Sequence, residues 1–201
     1  MSPTLPPAPI ARHSCPSPDL VYPGLVKLGL VSLHGQDRLV WKALSAKPYG
    51  CSDGSEPLAC DSLLDRTALL SQPLVQVAVA LLIQPSGSFL MTSRPPGKVY
   101  AGYWEFPGGK FEGAENLGQA LGREIQEELG VEVLAFEPWC VECVLYPHAL
   151  VELHFCRVTQ WAGELQMREG QEAAWQTLPL SVSPVLPGAY PVLDRLARDR
   201  D

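Results

Sequence analysis

The sequence predicts an α/β fold, an α/β/α sandwich built on a mixed sheet. Three observations lead there. Short apolar runs with strand character recur from Val75 onward. Leu117, Leu121, Ile125 and Leu129 recur every four residues, which is one stripe of a helix. A second helical segment spans Tyr190 to Arg198, with Val192, Leu193 and Leu196 apolar. Strands and helices interleaved in this way bury a sheet between helical layers.

The chain divides into residues 1–74 and residues 75–201. The first 23 residues carry Pro3, Pro6, Pro7, Pro9, Pro16, Pro18 and Pro23, a composition that disfavours a packed core. Leu25 to Leu33 and Arg38 to Leu44 have some apolar character, and Pro48 to Ser55 is rich in turn formers. Residues 1–74 are therefore expected to be a weakly ordered extension, with a small accessory element packed on the domain as the alternative. Val75 to Ile83 reads as a strand, Gln84 to Gly87 as a turn, and Ser88 to Ser93 as a second strand. Arg94 to Tyr103 is a loop. The striped helix follows, with Asn116 placed to cap its start and Gly130 to end it. A strand near Val131 to Phe136 leads to a hairpin with arms around Val141 to Tyr146 and Leu150 to Val158, turning at Pro147-His148-Ala149.

With 201 residues the chain can bury its own core. Its net charge of −7 argues against a nucleic-acid polymer as ligand, because such binders usually present a basic face. A single nucleotide remains compatible. No apolar run approaches the roughly 20 residues that span a bilayer, and no signal-peptide pattern opens the chain. A cytoplasmic monomer is expected. The six cysteines should then be reduced thiols. Cys140 and Cys143 form a lone CxxC in strand-like surroundings, where a buried free thiol is the simpler reading than zinc.

The chemistry is concentrated in Gly109 to Val131, GKFEGAENLGQALGREIQEELGV. On the helix, Glu124 lies three residues before Glu127 and four before Glu128, so the carboxylates project to one side. Like charges so spaced cost roughly 0.2–0.5 kcal/mol per pair. A solvated acidic face is one explanation. The other is a ligand set for a hard divalent cation: carboxylates without thiol or imidazole favour Mg²⁺ or Mn²⁺ over Zn²⁺.

Gly109, Glu115, Arg123, Glu124, Glu127, Glu128, Gly130 and Val131 match every defined position of the Nudix hydrolase signature, and the chain resembles that family. Glu105-Phe106-Pro107-Gly108-Gly109-Lys110 is similar to the approach to this motif in MutT-type 8-oxo-dGTP diphosphatases. The likeness runs from about Val75 to Arg198. It implies a loop–helix–loop that holds Mg²⁺, with Mn²⁺ as a substitute, against the phosphates of a nucleoside triphosphate. It implies pyrophosphohydrolysis, with 8-oxo-dGTP, cleaved to 8-oxo-dGMP and pyrophosphate, as the leading substrate; the alternatives are a Nudix hydrolase of another nucleoside diphosphate derivative and a non-catalytic nucleotide-sensing domain.

The resemblance also implies roles. Glu124, Glu127, Glu128 and the Gly108 carbonyl would ligate metal. Glu124 and Glu169 would coordinate or deprotonate water, and Arg123 would orient Glu127. Arg94 would clamp phosphate, or stand as a solvated strand-end arginine. Lys110 would meet phosphate or pair with Glu112. Phe106 and Tyr190 would offer stacking faces. The chain departs from the subgroup at two places. Ala189 stands where an Asn reads the oxidised guanine, and His148-Ala149 replaces an Asp-Arg pair at the hairpin tip. His148, or backbone near Pro187 to Tyr190, would then have to read the base.

Overall fold

In the computed structural model the described residues are 25–33, 36–43, 72–146 and 149–199. Nine strands and two α-helices occur among them: β1 (Leu25–Leu33), β2 (Gln36–Ala43), β3 (Leu74–Leu82), β4 (Phe89–Ser93), β5 (Trp104–Glu105), β6 (Gly108–Lys110), α1 (Leu117–Leu129), β7 (Glu132–Tyr146), β8 (Ala149–Ala162), β9 (Ala173–Gln176) and α2 (Tyr190–Arg198). A 3₁₀ turn, Pro187–Ala189, leads into α2. The main sheet runs β1-β2-β7-β8-β3-β6, and a smaller sheet runs β5-β4-β9. β2 is parallel to β7 and β3 to β8, while the other main-sheet pairs are antiparallel, so the sheet is mixed.

Side-chain alternation along β3 explains the layers. Ala78, Ala80 and Leu82 face Ala120, Leu121, Ile125 and Leu129 of α1. Val79 and Leu81 point the other way, toward Val192, Leu193 and Leu196 of α2. One helix thus covers each face, as the sequence leads one to expect. Full burial of each large aliphatic side chain contributes about 1.5–3 kcal/mol.

The ends of α1 are set locally. The Asn116 side chain accepts from the Gln119 amide at 3.0 Å, and the Gln119 side chain accepts from the Asn116 amide at 2.9 Å. This reciprocal pair satisfies two otherwise unpaired donors. Gly130 stops the helix at φ 70°, a left-handed conformation costly for other residues.

Two features differ from the sequence expectation. The strand near Val131 to Phe136 and the first hairpin arm are one continuous strand, β7. Register shifts between Val133 and Ala135, Ala135 and Phe136, and Pro138 and Cys140 absorb the irregular sequence. Residues 25–33 and 36–43, expected in a weakly ordered extension or as an accessory element, form two antiparallel strands, the second joining the main sheet, Val40 to Lys42 beside Cys143 to Leu145. Their Leu25, Val40 and Trp41 are buried. No described helix is long and apolar enough to cross a membrane.

A chain starting at residue 46 should melt below the full chain, because Val144 and Leu150 lose their cover from Trp41 and Val40. A drop of more than about 4 °C is expected, since 1 kcal/mol moves Tm by roughly 2–4 °C at this size. Equal melting curves would show that the hairpin adds no stability.

Candidate active site

The floor of the site is the contact between β6 and α1. Gly108 has φ 147°, and a Cβ there would lie 2.1 Å from the Ala78 carbonyl oxygen. A Cβ on Gly109 would lie 2.1 Å from the Glu124 carboxyl carbon. Gly108 thus lets β6 lie close on β3, and Gly109 leaves room for the Glu124 carboxylate. The Gly108 amide donates to Glu128 Oε2 at 3.0 Å. Burial raises the Glu124 carboxyl, while a hydrogen bond from Arg123 lowers it less. The Glu128 carboxyl is pushed up to about 8, first by burial and then by Glu105, Glu169 and Glu124 against the Gly108 bond.

Arg123 organises the outer face of the helix. Its Nε and Nη2 donate to Glu115 at 2.7 and 2.9 Å, and Nη2 also reaches the Lys110 carbonyl at 2.9 Å. Nη1 donates to Glu124 at 2.9 Å and Glu127 at 3.2 Å. Its main partner is Glu115 across the loop, beyond the expected Glu127. These bonds hold the Glu115 carboxyl down to about 2.

The segment 166–171 closes the C-terminal end of α1, where helix carbonyls lack partners. The amides of Gln166 and Arg168 donate to the Leu129 and Glu128 carbonyls at 2.8 and 3.0 Å. Arg168 Nη1 reaches the Gln126 carbonyl at 3.0 Å. Buried Gln171 donates to the Glu128 carbonyl at 2.9 Å and accepts from the Glu169 amide at 2.8 Å. Glu169 is thereby fixed near the helix carboxylates, where Lys98 Nζ meets it at 3.2 Å.

A cleft of about 690 Å³ opens above this floor. It gathers Arg94, Phe106, Gly108, Lys110, Glu124, Glu128, Glu169 and Ala189 from the sequence reading. Glu127 does not line it: it is exposed and paired with Arg123. His148 lies outside the described residues. Arg94 is already engaged, with Nη1 on both Glu105 oxygens at 2.7 and 2.8 Å and Nε on the Val99 carbonyl at 2.6 Å. Phe106 is 4% exposed and packs on Phe89 and Phe155, so its ring belongs chiefly to the core. Ala189 is buried, and its amide donates to Leu186, as that of Tyr190 does to Pro187. The Gly188 backbone bonds the Tyr146 hydroxyl.

Several cleft residues escaped the sequence reading. Glu105 sits opposite Thr92 in the β4–β5 pair, which brings it to Arg94; its carboxyl rises to about 6, chiefly by burial. The adjacency of Glu105 to the motif was the available signal. Lys98, Tyr100 and Tyr146 also line the cleft. Tyr100 adopts φ 62° and makes edge contacts with Tyr103 and Tyr146. A non-glycine residue held there marks local strain of the kind that clusters at binding sites.

The donor set suits a hard divalent cation. Glu124 and Glu128 are half-buried, the Glu128 carboxyl is raised chiefly by burial and further by its acidic neighbours, and all donors are oxygens. Among the described residues no three His, Cys, Asp or Glu side chains already surround one point closely enough to hold a metal. Cys140 packs with the α2-side core and Cys143 with Leu33, Val40 and Leu150, and burial pushes both thiols up to about 12.

Residues 73–196 match the model of the NUDIX domain. An 8-oxo-dGTP diphosphatase from Haemophilus influenzae is 36% identical over 106 residues, 53% of this chain and 78% of that protein. A CTP pyrophosphohydrolase from Escherichia coli is 35% identical over 129 residues, 61% of this chain and 96% of that protein. The solution structure of the E. coli ORF135 protein superposes with a TM-score of 0.56 at 33% identity, covering 66% of this chain and 94% of that one.

The raised Glu128 carboxyl makes a prediction about stability. Its folded value of about 8 exceeds the unfolded value of about 4.3, so the folded state holds its proton longer. Metal-free stability should therefore fall as pH rises between those values. Mg²⁺ should raise Tm more at pH 8 than at pH 5, and Glu128→Gln should flatten both trends. A pH-independent Mg²⁺ effect would contradict the role given to Glu128.

Proposed function

The chain belongs to the NUDIX family, and from that membership we propose that it is a divalent-metal-dependent nucleoside triphosphate pyrophosphohydrolase that removes 8-oxo-dGTP from the nucleotide pool. The observation that carries the reading is the seating of Glu124 and Glu128 on Gly108 and Gly109, at the floor of a cleft that Arg94, Lys98 and Lys110 also line. That arrangement suits a substrate bearing several phosphates and a cation between them and the carboxylates.

Glu124, Glu127, Glu128 and the Gly108 carbonyl would hold Mg²⁺, with Mn²⁺ accepted by the same oxygens. When bound, the ion neutralises phosphate charge and lowers the pKa of the attacking water. Arg123 holds Glu124 and Glu127 on the helix face. Lys98 and Lys110 bind phosphate oxygens, and Arg94 adds its charge while shared with Glu105. Glu124 or Glu169 takes the proton of the attacking water. The water oxygen bonds to phosphorus on the nucleoside side, and the bond to the departing pyrophosphate breaks. The base lies against Tyr100, Tyr146, the Phe106 edge and Ala189.

CTP is the second reading. The E. coli relative that carries that name aligns along 96% of its length. The amides at 188–190 are also committed within the protein, so the donors expected near Ala189 for an oxidised purine are not the ones at hand.

Glu124→Gln should fold normally and lose ~10²–10⁴-fold in turnover, the range for a general base. Near-wild-type pyrophosphate release by that variant at limiting Mg²⁺ would refute the assignment.

Pyrophosphate release from 8-oxo-dGTP, dGTP, CTP and dCTP tests the base. The highest kcat/KM is expected with 8-oxo-dGTP. Equal values for 8-oxo-dGTP and dGTP would remove the sanitising role, and a CTP maximum would establish the second reading.

A further inference from the structure

Residues 25–43 lie before the span matched by the NUDIX model, yet they stand behind one wall of the cleft. Val75, Tyr100, Tyr146, Ala149 and Val151 line the cleft. The same five residues belong to an apolar cluster completed by Leu25 and Trp41 of the hairpin. Trp41 is 1% exposed, so its indole backs the wall without meeting solvent. Its indole also interacts with Glu142 on β7 and favours the charged carboxylate, and Glu142 accepts from Arg195 of α2 at 3.2 Å. The turn before α2 carries Gly188 and Ala189 on the cleft, and Gly188 bonds Tyr146. Hairpin, β7, α2 and Tyr146 are thus linked in a closed circuit. The circuit includes none of Glu124, Glu128 or Glu169.

Resting on the pyrophosphohydrolase reading, we propose that the hairpin is a positioning element for the base end of the cleft. Trp41 sets where the Tyr146 and Val151 wall stands, and so how tightly the nucleoside is held. It touches neither substrate nor the carboxylate floor. Its effect belongs in substrate affinity, with the chemical step left intact.

Val40 supplies the control. It is buried on the opposite face of the same strand, with Leu33, Cys143 and Leu150. Trp41→Leu, Trp41→Phe and Val40→Ala are compared in the full chain. KM and kcat are measured on the preferred triphosphate, and Kd for dGMP and CMP by calorimetry. Trp41→Leu should raise KM about tenfold with kcat within about threefold, the split expected when binding is lost equally in ground and transition states. The Kd of at least one monophosphate should rise with it. Trp41→Phe should restore most of the affinity, and Val40→Ala should leave KM unchanged even if Tm falls. Should Trp41→Leu not fold, Leu25→Ala tests the same cluster from its other member. Equal KM shifts for Trp41→Leu and Val40→Ala, or a shift in neither, would overturn the proposal. Wild-type turnover on no triphosphate would sink the pyrophosphohydrolase reading alone, since the monophosphate arm still reports on Trp41.

Discussion

The contact on which the site depends is the approach of α1 to a pair of residues without side chains. Gly108 and Gly109 let β6 slide under the helix until Glu124 rests on Gly109 and Glu128 accepts the Gly108 amide. A methyl on Gly108 would strike the backbone of β3 at Ala78 and Val79, so that glycine lets β6 pair with β3 at Val77 to Val79. A methyl on Gly109 would strike the end of the Glu124 side chain, so that glycine leaves room for the carboxylate. Strand pairing and the seat of the acidic groups thus meet at two adjacent residues.

Charge balance around that contact is handled outside the cleft. The C-terminal end of α1 carries the negative pole of its peptide dipoles, and two glutamates occupy the last turn. No basic residue of the helix sits there. Arg168 supplies the missing charge from another segment, packed so closely on Gly130 that a side chain there would strike its guanidinium. Arg123 performs the corresponding task at the outer face. Among the described residues Glu128 has no such cation: burial, with like charge from Glu105, Glu169 and Glu124, keeps it protonated well above the usual carboxylate range.

Local signals made much of this legible in the sequence. Asn116, the four-residue apolar stripe and Gly130 define α1 because capping and periodicity act within one element. The same periodicity put three glutamates on one face. Contacts that depend on strand register were not legible. Arg94 meets Glu105 only because β4 and β5 pair as they do, and Gln171 meets the helix end only because the chain returns there. Spacing alone also does not show that Glu127 is exposed and paired with Arg123 while Glu124 and Glu128 line the cleft. The hairpin at residues 25–43 was obscured because its apolar residues face two different clusters, which dilutes any single stripe.

The hairpin meets the rest of the sheet over a short stretch, Val40 to Lys42, whereas β3 and β8 run together from Leu74 and Leu150 to Leu82 and Val158. Short pairing of this kind creates a unit that opens on its own, at a free energy below that of global unfolding. Amide protons of β1 and β2 should exchange with solvent through such excursions, while those of β3 and β8 await unfolding of the whole domain. The wall behind the base can then breathe while the floor beneath the phosphates stays folded. Admission of a nucleoside and alignment of its phosphates would accordingly be governed on separate timescales by separate parts of one sheet.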